Sequence, residues 1–173
     1  MQKREKAVTF KGEPKTLVGP QLKPGDKAPD FASLAGLEIV GLAQTPAKAR
    51  LFSVVPSLDT SVCSLQTHKF SQALAALGDK VASYTVSLDL PFAQKRFCDA
   101  ESITNMKTLS DVHNHSFGQN YGVLIEGLPL PLLSRAVFVV DKAGKIAYVE
   151  YVGEVTSHPN YDAAMAALKV ASV

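Results

Sequence analysis

Two cysteines stand in this chain, Cys63 and Cys98. The setting of Cys63 allows thiol chemistry as well as packing. Leu51 to Val55 is an apolar run, Pro56 turns the chain, and a helical pattern opens near Ser61. That places Cys63 in the first turn of a helix, where unpaired N–H groups and the helix dipole favour negative charge. The thiolate is the nucleophilic form of cysteine. Thr60 can set a hydroxyl beside the sulfur, and Pro56 shapes the loop without contributing an N–H. The plain alternative for Cys63 is a buried structural cysteine, among the most buried residue types. Thr60 is equally suited to be an ordinary N-cap. Arg135 begins the apolar strand Ala136 to Val140, where a strand-end arginine ordinarily snorkels to solvent.

The elements that must position these residues follow from period and punctuation. Hairpins are expected at Ala7–Phe10/Lys15–Val18, with Lys11 to Pro14 as the turn, and at Phe31–Leu34/Leu37–Leu42 around Ala35-Gly36. Arg50 to Val55 reads as a buried strand. Ser61 to Leu77 reads as a helix ending at Gly78, with Leu65, Phe70, Leu74 and Leu77 on its apolar face. Val81 to Leu88 is a strand, Pro91 to Ala100 a helix, Met106 to Leu109 a strand and His113 to Tyr121 a helix. Ala136–Val140 and Ile146–Tyr151 form a hairpin, and Tyr161 to Val170 closes the chain as a helix. Phe92, Phe97, Phe117 and Tyr121 are expected mostly in the core. This order predicts an α/β fold, a central mixed β-sheet flanked by helices, with parallel strands between residues 50 and 110.

Composition narrows the function. The chain has 173 residues, 46% hydrophobic and 20% charged, which suits one globular domain over 1–173. A net charge of +2 gives no basic surplus for nucleic acid. No apolar run is long enough for membrane insertion, and no export signal opens the chain, so a cytoplasmic location is expected. Cys63, Cys98 and the four histidines show no zinc-module spacing. There is no Cys-x-x-Cys, phosphate loop or nucleophile elbow.

Three separated motifs and a C-terminal run carry a resemblance. Pro56-x-x-x-Thr60-x-x-Cys63, within Ser57 to Thr67, resembles the peroxiredoxin active-site pattern, in its thiol peroxidase (atypical two-cysteine) branch. Asp89 to Cys98 is similar to that branch's resolving-cysteine segment. Ser134 to Asp141 is similar to its arginine-bearing strand, and Tyr148–Thr156 with Pro159–Asp162 to its C-terminal run. Ser61 departs from the family's usual proline, and Leu130-Pro131-Leu132-Leu133 from its usual small pair.

The resemblance implies a thioredoxin-like fold with an N-terminal β-hairpin extension. It implies that Cys63 is the peroxidatic nucleophile and Cys98 the resolving thiol, joined in an intramolecular disulfide. It implies that Pro56, Thr60 and Arg135 bind the peroxide, with Thr60 and Arg135 also acting on the sulfur. The substrate would be hydrogen peroxide or an organic hydroperoxide. No cofactor or metal is implied, because electrons come from thioredoxin or another dithiol. The usual assembly is a homodimer. A redox relay with little turnover, or a scaffold with an idle site, would keep the same residues.

Overall fold

The computed structural model describes residues 1–173. Its strands are β1 (Lys3–Phe10), β2 (Glu13–Val18), β3 (Ser33–Ala35), β4 (Glu38–Val40), β5 (Ala49–Val54), β6 (Val81–Ser87), β7 (Lys107–Ser110), β8 (Leu124–Glu126), β9 (Leu132–Leu133), β10 (Ala136–Val140) and β11 (Ile146–Tyr151). The α-helices are α1 (Ser61–Leu74), α2 (Pro91–Ala100), α3 (Ser116–Asn120) and α4 (Tyr161–Ala171).

Seven strands form the main sheet, in the order β11-β10-β5-β6-β7-β3-β4. β5, β6 and β7 are parallel, as expected for strands joined by helical crossovers, and β10 runs antiparallel to β5. Every residue of β5 and β10 is buried, which is the signature of strands covered on both faces.

Alternation along these strands builds two cores. Phe52 and Val54 of β5 point with Phe138 and Val140 of β10 into one cluster, which holds Tyr84, Phe117 and Tyr121. Ala49 and Leu51 point the other way with Val137 and Val139, against Phe70 and Leu74 of α1 and Leu168 of α4. The central strand is thus clamped from both sides, and its C-terminal end is a rigid base for the loop that leads to Cys63.

The structure corrects several boundaries. The first hairpin turns on Lys11 and Gly12 alone, at φ 52° and 82°, the pair of left-handed residues that a tight two-residue turn requires. Pro14 lies inside β2, beyond the stretch that β8 pairs, so its missing N–H costs nothing. The N-terminal extension is more than a hairpin: β8 and β9 complete a four-stranded sheet, β1-β2-β8-β9. Those short strands lie among Gly122, Gly127, Pro129 and Pro131, too brief to show a period. The helix expected from His113 starts only at Ser116. His115 is left-handed at φ 57°, and the Asp111 carboxylate accepts the N–H groups of Phe117 and Gly118 instead.

α1 buries a different face from the one expected. Cys63, Gln66, Thr67, Phe70 and Leu74 are inside, whereas Leu65 is 49% exposed. Polar residues can line that face because each is satisfied: Thr67 Oγ1 donates to the Cys63 carbonyl at 3.0 Å, and Gln66 is held at both ends. α1 also ends at Leu74, and the chain reaches Gly78 through turns. Phe92 is a further correction, 68% exposed at the start of α2.

Candidate active site

Three parts of the fold converge on Cys63. The first is its own helix. Thr60 is the N-cap of α1, which makes Cys63 the third helical residue, and its sulfur side chain is fully buried with Val55 and Leu58. The N–H groups of Ser61, Val62 and Cys63 have no acceptor in the chain, while Ser64 N–H begins the ladder to the Thr60 carbonyl. Free N–H groups therefore gather where the sulfur emerges.

The second part is Arg135, between β9 and β10. Ser134 N–H bonds the Val123 carbonyl and Val152 N–H bonds the Arg135 carbonyl, so the backbone here is pinned to both sheets. The guanidinium is 2% exposed, and its three nitrogens are each used. Nε donates to the Val155 carbonyl at 2.8 Å, Nη1 to Gln66 Oε1 at 2.9 Å, and Nη2 to Cys63 Sγ at 3.4 Å. The arginine does not snorkel.

Gln66 is the third part, and sequence reasoning passed over it. Its Nε2 donates to Ser53 Oγ of β5 at 2.7 Å, which fixes the amide so that Oε1 faces Arg135. The available signal was position: Gln66 is three residues after Cys63 on a helix, hence on the same face.

Thr60 and Pro56 complete the approach loop. Pro56 is buried and Thr60 exposed. Thr60 Oγ1 donates to the Ser57 carbonyl at 3.1 Å, so it neither caps α1 through its side chain nor bonds the sulfur here. Asp89 steadies this loop from the other side. Its carboxylate accepts Ser57 Oγ at 2.7 Å, Leu58 N–H at 2.8 Å and Ser87 Oγ at 2.8 Å. Because Asp89 also leads into α2, one carboxylate ties the loop before Cys63 to the helix carrying Cys98. Tyr161 and His158 are joined at 2.6 Å, and the charge of Arg135 acts on both.

Cys98 is half-buried on α2, and both cysteines are free thiols. Its sulfur belongs to the α4-side core, apart from the Cys63 cluster, and the Phe97 ring packs against both. Burial, then the neighbouring Asp99 carboxylate, push the Cys98 thiol above its ordinary value. α1 and α2 are tied together nearby. His68 meets Glu101 at 2.8 Å, and Ser71 exchanges two bonds with Asn105 at 2.7 Å each. No group of three or more His, Cys, Asp or Glu side chains gathers to hold a metal ion. No helix is long and apolar enough to cross a membrane.

This geometry can be set beside known proteins. Residues 23–165 match the Redoxin family. A thiol peroxidase of Bacillus subtilis (strain 168) is 51% identical over 163 residues, covering 94% of this chain and 96% of its own. A thiol peroxidase of Listeria monocytogenes serotype 4b (strain F2365) is 53% identical over 165 residues, covering 95% and 98%. The crystal structure of a peroxiredoxin-like protein from Aquifex aeolicus superposes with a TM-score of 0.88 at 43% identity, covering 95% of this chain and 96% of that one. The thioredoxin-like arrangement expected from the sequence is therefore the observed one. The chain belongs to the Redoxin family, as an enzyme of its thiol peroxidase (peroxiredoxin) branch.

Proposed function

We propose that the chain reduces hydroperoxides with Cys63 as nucleophile and Cys98 as resolving thiol. The observation that carries this reading is the Arg135 Nη2 contact to Cys63 Sγ at 3.4 Å, at a helix start with open N–H groups. Fixed positive charge and oriented dipoles there favour negative charge on sulfur and on the departing oxygen.

In the first step the sulfur attacks one oxygen of R–O–O–H. The O–O bond breaks, Cys63 becomes a sulfenic acid, and R–OH leaves after taking a proton. Thr60 and Pro56 lie on the approach side. For the Thr60 hydroxyl to orient the peroxide it must turn from the Ser57 carbonyl. In the second step the Cys98 thiolate attacks the sulfenic sulfur, an S–S bond forms and water departs. A disulfide needs Cα atoms within roughly 7 Å. Both cysteines are helical and lie in separate clusters, so the first turn of α1 and the last turn of α2 must open, and Phe97 must swing aside. Amide-exchange protection of both turns should fall on oxidation. In the third step an external dithiol, thioredoxin in our reading, takes over the oxidation by exchange and restores both thiols. No metal or organic cofactor enters. We read 1–173 as one domain, cytoplasmic and homodimeric.

Steady-state turnover with a thioredoxin reductase system tests this. Cys63→Ser should abolish peroxide consumption, and Cys98→Ser should allow one turnover and no more. Sustained thioredoxin-dependent turnover by Cys98→Ser would remove the resolving role. Peroxide consumption without turnover by the unaltered chain would favour a redox relay.

A further inference from the structure

A second buried arginine has no part in the reaction. Arg50 is the second residue of β5, at the end of the strand opposite the Cys63 loop, and only 5% exposed. Its Nη1 donates to Thr45 Oγ1 at 3.1 Å and its Nη2 to the Asp141 carbonyl at 2.7 Å. Nε is buried with no partner. Both acceptors are neutral oxygens, and Arg50 makes no ion pair. The Asp141 carboxylate, whose charge acts on Arg50, accepts the N–H groups of Ala143 and Lys145 at 2.9 Å each. A guanidinium buried without a direct ion pair is costly, and burial pulls its pKa down against the opposing pull of Tyr121, Tyr84 and Asp141. A fold keeps such a group at little benefit to its own stability.

Arg50 forms part of the wall of a cleft of about 760 Å³ between the Lys27–Asp30 loop, the 42–47 segment and residues Lys142–Gly144. Lys27 and Lys142 stand on the same lining. The Lys142 ammonium donates to the Val173 oxygen at 3.1 Å. Asp30 is the one acid of the lining, and its Oδ1 already accepts the N–H groups of Phe31 and Leu42. Among the lining side chains, three cations stand against one carboxylate, with the Asp141 carboxylate just behind Arg50.

We propose that this cleft binds a phosphate group, either inorganic phosphate or the phosphate of a small monoester. The donors the guanidinium has left for phosphate oxygens are the Nε–H and the second N–H of each engaged Nη, and the lysines supply further charge at the rim. The bound anion would give Arg50 the direct ion pair that it lacks.

Calorimetric titration at low ionic strength tests this, first with inorganic phosphate and then with glycerol phosphate. Saturable binding is expected for at least one. The double variant Lys27→Gln/Lys142→Gln alters exposed positions and should fold normally. It should bind roughly tenfold more weakly, or worse, as expected for losing charge-assisted bonds. Arg50→Met should lose binding. The reaction of Cys63 with peroxide should be unchanged in the double variant. Tighter binding of glycerol phosphate would assign the monoester, and tighter binding of inorganic phosphate the free ion. Absence of saturable binding to either probe would overturn the proposal, as would equal binding by the double variant. If Arg50→Met does not fold, the double variant decides alone.

Discussion

Replacing Gln66 by Met isolates what holds the arginine against the sulfur. Methionine has a similar length and volume, so little cavity arises. Two bonds disappear: the one accepted from Arg135 Nη1 at 2.9 Å and the one given to Ser53 Oγ at 2.7 Å. All three side chains are buried, at 2% exposure or less, so water cannot replace these partners. An orphaned buried donor costs about 1–3 kcal/mol, with a charged donor at the upper end. The Ser53 hydroxyl loses only an incoming bond. The sum is about 2–4 kcal/mol of stability, a drop of about 1–2 M in urea midpoint at a slope near 2 kcal/mol/M. Function should also suffer. Arg135 would keep its Nε bond to the Val155 carbonyl, a single anchor about which the plane can rotate. A displacement of the Nη2 donor by about 1 Å is worth up to about a hundredfold in rate. Stopped-flow reaction of the reduced variant with excess cumene hydroperoxide should therefore run about ten- to a hundredfold slower. Lost stability with an unchanged rate would make Gln66 a core residue only, and Val155 the sufficient anchor. Unchanged stability and rate together would refute the bridge.

Other perturbations test neighbouring parts. Arg135→Lys keeps a charge but cannot reach the Val155 carbonyl, Gln66 and Cys63 Sγ together, so peroxide reduction should slow at least about a hundredfold, checked by stopped flow with folding confirmed by circular dichroism. Asp99→Asn removes the lesser of the two causes that raise the Cys98 thiol, so iodoacetamide labelling of Cys98 in a Cys63→Ser background should shift to lower pH. Because the folded state holds that proton more tightly, Cys98→Ala should flatten the loss of stability as pH rises past the ordinary thiol range. Glu154 is held at about 2 by the Thr156 hydroxyl and N–H, Gly12 N–H and Thr9. Its depressed value means stability present above the ordinary carboxylate range and lost as pH falls toward about 2, so wild type and Glu154→Gln should converge in acid unfolding.

Much of the scaffold was legible because local signals and tertiary demand agreed. Pro91 at the first position of α2 and the apolar runs of β10 and β11 marked their elements to within a residue. α1 was harder. Leu65 looked like core by its type, but Gln66 and Thr67 took the buried face, because Arg135, Ser53 and the helix backbone offered them partners. Such partners come from distant segments, and periodicity is blind to them. Phe92 misled in the same way: Pro91 and Gln94 fill the inner face of α2, with Gln94 Nε2 bonded to Ser87 and Leu109 at 3.0 Å each. β8 and β9 are too short to show alternation, and their pairing brings Ser134, beside Arg135, onto the Val123 carbonyl. The proposed nucleophile and its arginine were reached through the resemblance. Residue type alone left Arg135 at a solvent-facing strand end.

The most direct test of the account is a single turnover. One equivalent of cumene hydroperoxide is added to the fully reduced chain, thiol loss is followed in time, and intact mass and a peptide map are read at the end. Consumption far faster than a free thiol, ending in a Cys63–Cys98 bond with no added oxygen, is the predicted result. A stable oxygen adduct on Cys63 with Cys98 still free, or consumption no faster than a free thiol, would contradict it.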